Sequence, residues 1–177
     1  MKRGCQSRQE VYMQIRLERP EDIAAIQSLI TAAFKEMPYG SQTEGAVADA
    51  LRSAGALILS LIAIEDGEII GHVAFSPVAI SGATNGWYGL GPVSVRPDRQ
   101  GRGIGQALIR EGLARLRDMN AQGCVVLGDP GYYSRFGFIS DPGLRYGDVP
   151  PEYFQRLGFT GIVPEGEVVF HPGFDAT

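Results

Sequence analysis

The apolar positions of this chain fall into blocks whose spacing switches between two and about three and a half residues, and those blocks define its elements. Residues 13–17 alternate as a first strand. Pro20 then opens a helix running to residue 35, with Glu21 and Asp22 near its N-terminus and Ile23, Ile26, Leu29, Ile30 and Phe34 along one side. A second helix over residues 43–53 carries Val47, Ala50 and Leu51 on one side, and the connection 36–42 is too irregular for either element. Two strands follow, 57–65 and 68–80, joined at Asp66-Gly67, a strong short hairpin signal. A turn over 81–86 leads into a strand over 87–95. Ala107, Leu108, Leu113, Leu116 and Met119 then mark a helix over 106–122, and Cys124-Val125-Val126-Leu127 reads as a short buried strand. Helices first, an antiparallel meander next and a β-α-β crossover from 89 to 127 make an α/β fold. Proline donates nothing to a ladder, so Gly91-Pro92 marks a bulge where the strand over 87–95 parts from a neighbour, in preference to a plain edge strand. Beyond Phe138 prolines punctuate short apolar pieces; 167–170 is the clearest late strand and 153–157 a helical turn. No composition break separates a second domain, so 13–177 reads as one domain and 1–12 as a flexible N-terminal extension.

The stretch richest in chemistry is Gln100-Gly101-Arg102-Gly103-Ile104-Gly105, between the strand ending Val93-Ser94-Val95 and the helix that begins at Gln106. Glycines there let successive N–H groups point one way, at a helix start whose unpaired donors and dipole favour an anion. A phosphate ligand is the expectation, against the blander reading of a helix start that binds nothing. There is no Gly-Lys-Ser/Thr ending for a nucleoside triphosphate, and the spacing is not Gly-x-Gly-x-x-Gly for a dinucleotide. The pattern Gln-x-x-Gly-x-Gly after Val-x-Val-x-Pro instead resembles the acetyl-coenzyme A signature of the GCN5-related N-acetyltransferases (GNAT). In that family the loop grips the coenzyme pyrophosphate. The resemblance thus implies coenzyme contacts from Val93, Ser94, Val95, Gln100, Gly101, Arg102, Gly103, Ile104, Gly105 and Gln106. It also implies a mixed, mostly antiparallel sheet, flanked by helices, whose central parallel strand pair splays apart. The pantetheine arm would lie in that gap against the main chain of Val93 and Val95.

A second match supports the first. Tyr133 stands four residues before Gly137-Phe138, as does the tyrosine after the fifth strand in the same family. Its implied role is general acid, protonating the departing coenzyme sulfur. Arg156-Leu157-Gly158-Phe159 nearly repeats Arg135-Phe136-Gly137-Phe138, but four residues before Gly158 stands Phe154, without a hydroxyl, so the repeat reads as a decoy. The resemblance spans roughly residues 13–140.

Bulk properties add boundaries. The chain has 177 residues, enough for one sizeable core, with 44% hydrophobic and 20% charged side chains, an ordinary globular balance. No apolar run approaches the roughly 20 residues of a membrane span, and residues 1–12 lack the apolar middle of a secretory signal. Cys5 and Cys124 suggest neither a disulfide framework nor a metal site, and a reducing cytoplasm is expected. A net charge of −4 argues against general nucleic-acid binding and is compatible with a cationic acceptor.

The resemblance implies a ternary-complex N-acetyltransferase that uses acetyl-CoA, without metal, on a primary amine: a small amine, a polyamine, or a peptide or protein amine. Many relatives form dimers, which leaves a homodimer open. The other class of function is a non-catalytic acyl-CoA sensor or scaffold. An alkylammonium of pKa about 10.4 must lose a proton before it attacks. His72, Glu36, Glu44, Asp129 and a water chain are the rival acceptors, with His72 more often a packing residue and Asp129 equally a helix cap. Arg102 is expected on phosphate, and Arg96, Arg99 and Arg135 are candidates for the adenosine 3′-phosphate.

Overall fold

A computed structural model describes residues 12–35, 37, 38 and 43–177. The extension expected over 1–12, Tyr12 excepted, lies outside the described residues, as do Cys5, Glu36 and residues 39–42. In chain order the elements are β1 (Gln14–Leu17), a 3-10 turn (Pro20–Asp22), α1 (Ile23–Phe34), α2 (Glu44–Ser53), β2 (Leu59–Glu65), β3 (Glu68–Ile80) and β4 (Trp87–Val95). Then come α3 (Ile104–Asp118), β5 (Gly123–Leu127), α4 (Pro130–Tyr133), β6 (Ile139–Ser140), β7 (Leu144–Arg145), β8 (Phe154–Gly158) and β9 (Gly166–Phe170). The sheet runs β1-β2-β3-β4-β5-β8-β6, with β9 beside the far end of β3 and β7 beside β9. Its central pair, β4 and β5, is parallel; the neighbours on both sides are antiparallel. This is the mixed sheet that the resemblance implies. Among the described residues no helix is long and apolar enough to cross a membrane.

The two faces of the sheet are covered by different helices. Leu108, Ile109, Leu113 and Leu116 of α3 bury their stripe against Leu61, Val73 and Phe75, while Ile26 and Ile30 of α1 meet Ala48 and Ile62 on the other side. Each such side chain stabilises the fold by about 1.5–3 kcal/mol relative to leaving it in water. Met119, placed on the α3 stripe by its spacing, is instead 48% exposed, because the helix ends at Asp118 and Met119 is its C-cap. The helical turn expected over 153–157 is also corrected. A 3-10 turn occupies Pro151–Tyr153, and from Phe154 the chain becomes β8, antiparallel to β5. Pairing with the otherwise open edge of β5 outweighs a weak local preference. The repeat Arg156-Leu157-Gly158 therefore lies in a strand and builds no short helix.

The bulge expected at Gly91-Pro92 is visible in the register. Val73 faces Val93, but Phe75 faces Leu90, so β4 spends one more residue than β3 over that interval. On its other edge β4 pairs with β5 only from Trp87 opposite Gly123 to Gly89 opposite Val125. Past that point the parallel strands separate.

Truncation of a central contact on the α3 face tests the packing. Leu108 is fully buried, so Leu108→Ala should destabilise the protein by about 2–5 kcal/mol, read from urea or thermal unfolding.

Candidate functional site

The backbone of β4 turns toward the gap. Arg96 N–H donates to Ile70 O at 2.9 Å, and antiparallel partners alternate between bonded and outward-turned pairs. Ser94 opposite His72 is therefore the next bonded pair, and Val93 and Val95 direct their peptide groups to the edge that faces the splay. Val95 O accepts there from Gln100 Nε2 at 3.2 Å. Ser94, included with its neighbours in the implied coenzyme set, turns its peptide groups to β3 and buries its side chain. The strand's outward groups are thus those of Val93 and Val95.

At the end of β4 the glycine loop delivers a helix start without a side-chain cap. Gly103 is the N-cap of α3 with φ 80° and ψ 10°, the left-handed region that glycine enters without strain. The first bond of the helix runs from Ala107 N–H to Gly103 O at 3.0 Å, which leaves the amides of Ile104, Gly105 and Gln106 ahead of the ladder. They border a cavity of about 330 Å³ that Val95, Gly101, Gly105, Tyr132 and Arg135 also line. The Tyr132 hydroxyl lies 3.3 Å from where a Cβ on Gly105 would sit.

The arginines divide. Arg102 gives both terminal nitrogens to Glu65, at 3.2 and 2.9 Å, so its guanidinium lies on the β2–β3 hairpin and not over the loop amides. Arg99 reaches the same carboxylate at 3.2 Å while lining the cavity. Glu65 is only 7% exposed, and a carboxylate so buried needs this compensation. Arg96 is held by Glu68 and Asp98, away from the cavity. Arg135 sits over the Tyr132 ring at 4.6 Å and donates from Nε to Tyr132 O at 2.8 Å.

Tyr133 faces a second cavity, of about 510 Å³, at the other end of the gap. Asp129 caps the short α4, its Oδ1 accepting from Gly131 N–H at 2.8 Å. The Tyr133 ring lies against Gly128 and meets Phe138 edge-on at 5.9 Å. Leu90, Pro92 and Val93 of β4 and Leu127 of β5 line the same cavity, so Tyr133 looks into the mouth of the splay. Burial, reinforced by Tyr132 and Cys124, raises its phenol above the ordinary value, and it keeps its proton at neutral pH. Tyr132 and Tyr133, edge-on at 5.0 Å, thus serve two different cavities. The fully buried Cys124 thiol is likewise pushed up by burial and is a core residue.

His72 is fully buried and outside both cavities. The Ser60 hydroxyl donates to Glu18, so its oxygen accepts from His72 Nε2–H across 2.9 Å. That tautomer leaves Nδ1 as a bare acceptor, and no described group donates a hydrogen bond to it. Burial pushes the imidazole down to about 4, Glu18 only partly opposing it. His72 is a neutral packing residue in a polar line that continues through Glu18 to Arg52. Glu44, in contrast, lines the larger cavity. Among the described residues no cluster of three or more His, Cys, Asp or Glu could hold a metal.

The profile of the Acetyltransferase (GNAT) family matches residues 23–138, and the chain belongs to that family. It is 40% identical over 127 residues to the Uncharacterized N-acetyltransferase YhbS of Escherichia coli K12, covering 71% of this chain and 73% of that one. Among solved structures, a GNAT family acetyltransferase from Brucella melitensis in complex with acetyl-CoA is 55% identical, with TM-score 0.85 over 94% of this chain and 100% of that one. E. coli YhbS in complex with CoA is 34% identical, with TM-score 0.85 over 93% of both chains.

Sequence reading missed the aromatic wall of the larger cavity, Phe34, Tyr146, Phe170 and Phe174, because these residues come from distant elements. It also missed Tyr132, although the Tyr-Tyr pair was in view.

The buried imidazole makes a pH prediction. Unfolded, His72 takes a proton near 6.5, but folded only near 4, so its contribution is complete above pH 6.5 and disappears as pH falls to 4. Wild type should lose on the order of 3 kcal/mol from this source over that window. In His72→Leu that part of the slope should flatten in urea melts taken across the range.

Proposed function

We propose that residues 13–177 act as one N-acetyltransferase domain that transfers the acetyl group of acetyl-CoA directly to a primary amine. The observation carrying this is the continuity of three features along one gap. Amides at the start of α3 come first, then the outward peptide groups of Val93 and Val95, then Tyr133 at the mouth of a second cavity. Complexes of two relatives with acetyl-CoA and CoA agree with it.

The residues fit the ligand. The loop of Gly101 and Gly103 and the amides of Ile104, Gly105 and Gln106 suit a pyrophosphate, with Gln100, Arg99 and Arg135 at its margin. Val93 and Val95 suit the amide groups of an extended arm. Bound acetyl-CoA supplies an acetyl thioester. A neutral amine forms the new N–C bond as the C–S bond breaks, an N–H of β4 near Val93 meets the developing oxyanion, and Tyr133 Oη gives its proton to the sulfur. The surplus proton of the amine leaves to water or a carboxylate, and the phenolate recovers a proton from solvent. Arg102 contributes through its place in the loop, with its side chain holding the loop to Glu65.

Tyr133→Phe should lower kcat by about a hundredfold or more, read as thiol release across a panel of amines, while coenzyme affinity stays within about twofold. Equal turnover would remove Tyr133 from the chemistry, and coenzyme binding without turnover of any amine would favour a sensor. Gly105→Asp keeps a favourable residue in the first helical turn but puts a carboxylate against the diphosphate. It should weaken coenzyme binding at least about tenfold by calorimetry, the cost of close like charges. Undiminished affinity would place the cradle elsewhere.

A further inference from the structure

The larger cavity says more about the acceptor than the coenzyme groove does. Its walls come from the end of α1, the start of α2, the splay and the chain beyond residue 141. Phe170 is its hinge point. A Cβ on Gly89 would lie 2.4 Å from the Phe170 ring, so the ring rests on bare β4 backbone at the residue where β4 and β5 cease to pair. Tyr146 meets Phe170 edge-on at 5.0 Å, and Phe174 does so at 4.9 Å. Phe34 of α1 is also at the cavity wall. These four rings are half-buried, with part of each surface left for another apolar group.

Charge is sparse among the described residues that line this cavity. Among its described lining residues Glu44 carries the one formal charge, and it is negative. No described lysine or arginine lines it to receive a carboxylate or phosphate. A polyamine would bring several ammonium groups to one carboxylate and leave the others desolvated against aromatic rings. A single ammonium on an aromatic body satisfies both sides: the cation goes to Glu44 and the ring faces, and the apolar body to the wall.

We infer that the acceptor is a primary monoamine borne on an aromatic body, held by the wall around Phe170 with Glu44 drawing its amino group in. This rests on the acetyl-transfer reading above and narrows its substrate. It also gives the residues after 141 a purpose, since β9 and the 3-10 turn after it (Pro172–Asp175) exist in the fold largely to bring Phe170 and Phe174 to the mouth of the gap.

The test compares phenethylamine, ethylamine, spermidine and a lysine-containing peptide as acceptors with acetyl-CoA, following both thiol release and the mass of the acetylated product. Phenethylamine should exceed each of the others at least tenfold in kcat/KM. Phe170→Ala should reduce the phenethylamine-to-ethylamine ratio at least fivefold. Phe34→Leu, on a different element, should reduce it in the same direction should the first variant fail to fold. Glu44→Gln should raise KM for phenethylamine with coenzyme affinity unaltered. Preference for spermidine or the peptide, or an unchanged ratio in the folded variants, overturns this inference and leaves acetyl transfer standing. Coenzyme binding with no product from any of the four amines overturns both.

Discussion

The whole site depends on two adjacent parallel strands that stop pairing halfway. β4 and β5 share a ladder for three residue pairs, Trp87–Gly123 to Gly89–Val125, and then part. A parallel pair buried between helices ordinarily keeps its bonds, since an unmet peptide group in an apolar interior is costly. Here the cost is avoided on one side because β5 has β8 as its other neighbour, and β4 has β3. What remains are the outward groups of Val93 and Val95, presented to a gap that an extended, amide-bearing ligand can fill as a surrogate strand. The bulge at Gly91-Pro92 sits at this divergence, where β4 takes an extra residue and proline offers no donor.

The splay also explains why two cavities border the same strand, one at Leu90, Pro92 and Val93 and the other at Val95. One lies where β4 gives way to the glycine loop and α3, and is bounded by backbone amides and glycine. The other lies where the opened strands meet α4, and is bounded by rings and Tyr133. Adjacent tyrosines on a single short turn serve the two ends, Tyr132 the first and Tyr133 the second. The buried line from His72 through Ser60 and Glu18 to Arg52 belongs to the scaffold instead, joining β1, α2 and the middle of the sheet.

Much of this was legible in residue order because it is written in local signals. Glycine at 101, 103 and 105, proline at 92 and the tyrosine before Gly137-Phe138 each act through the backbone next to them, and short-range pattern suffices to read them. Side-chain direction was not legible. Arg102 sits between two loop glycines, yet a buried glutamate on the β2–β3 hairpin claims it. Ser94 shares a strand with Val93 and Val95, yet alternation turns it away. The aromatic wall was invisible for another reason, since Phe34, Tyr146, Phe170 and Phe174 meet through β9 returning to the far end of β3. The strand β8 was misread because its stability comes from β5 and not from its own composition.

The claim that coenzyme occupies the opened strand pair can be measured amide by amide. In a two-dimensional NMR titration with CoA, the largest shifts should come from the backbone N–H groups of Val93, Val95 and residues 101 and 103–106, with His72 nearly still. Shifts clustered elsewhere on the protein, with those amides unmoved at saturating CoA, would contradict it.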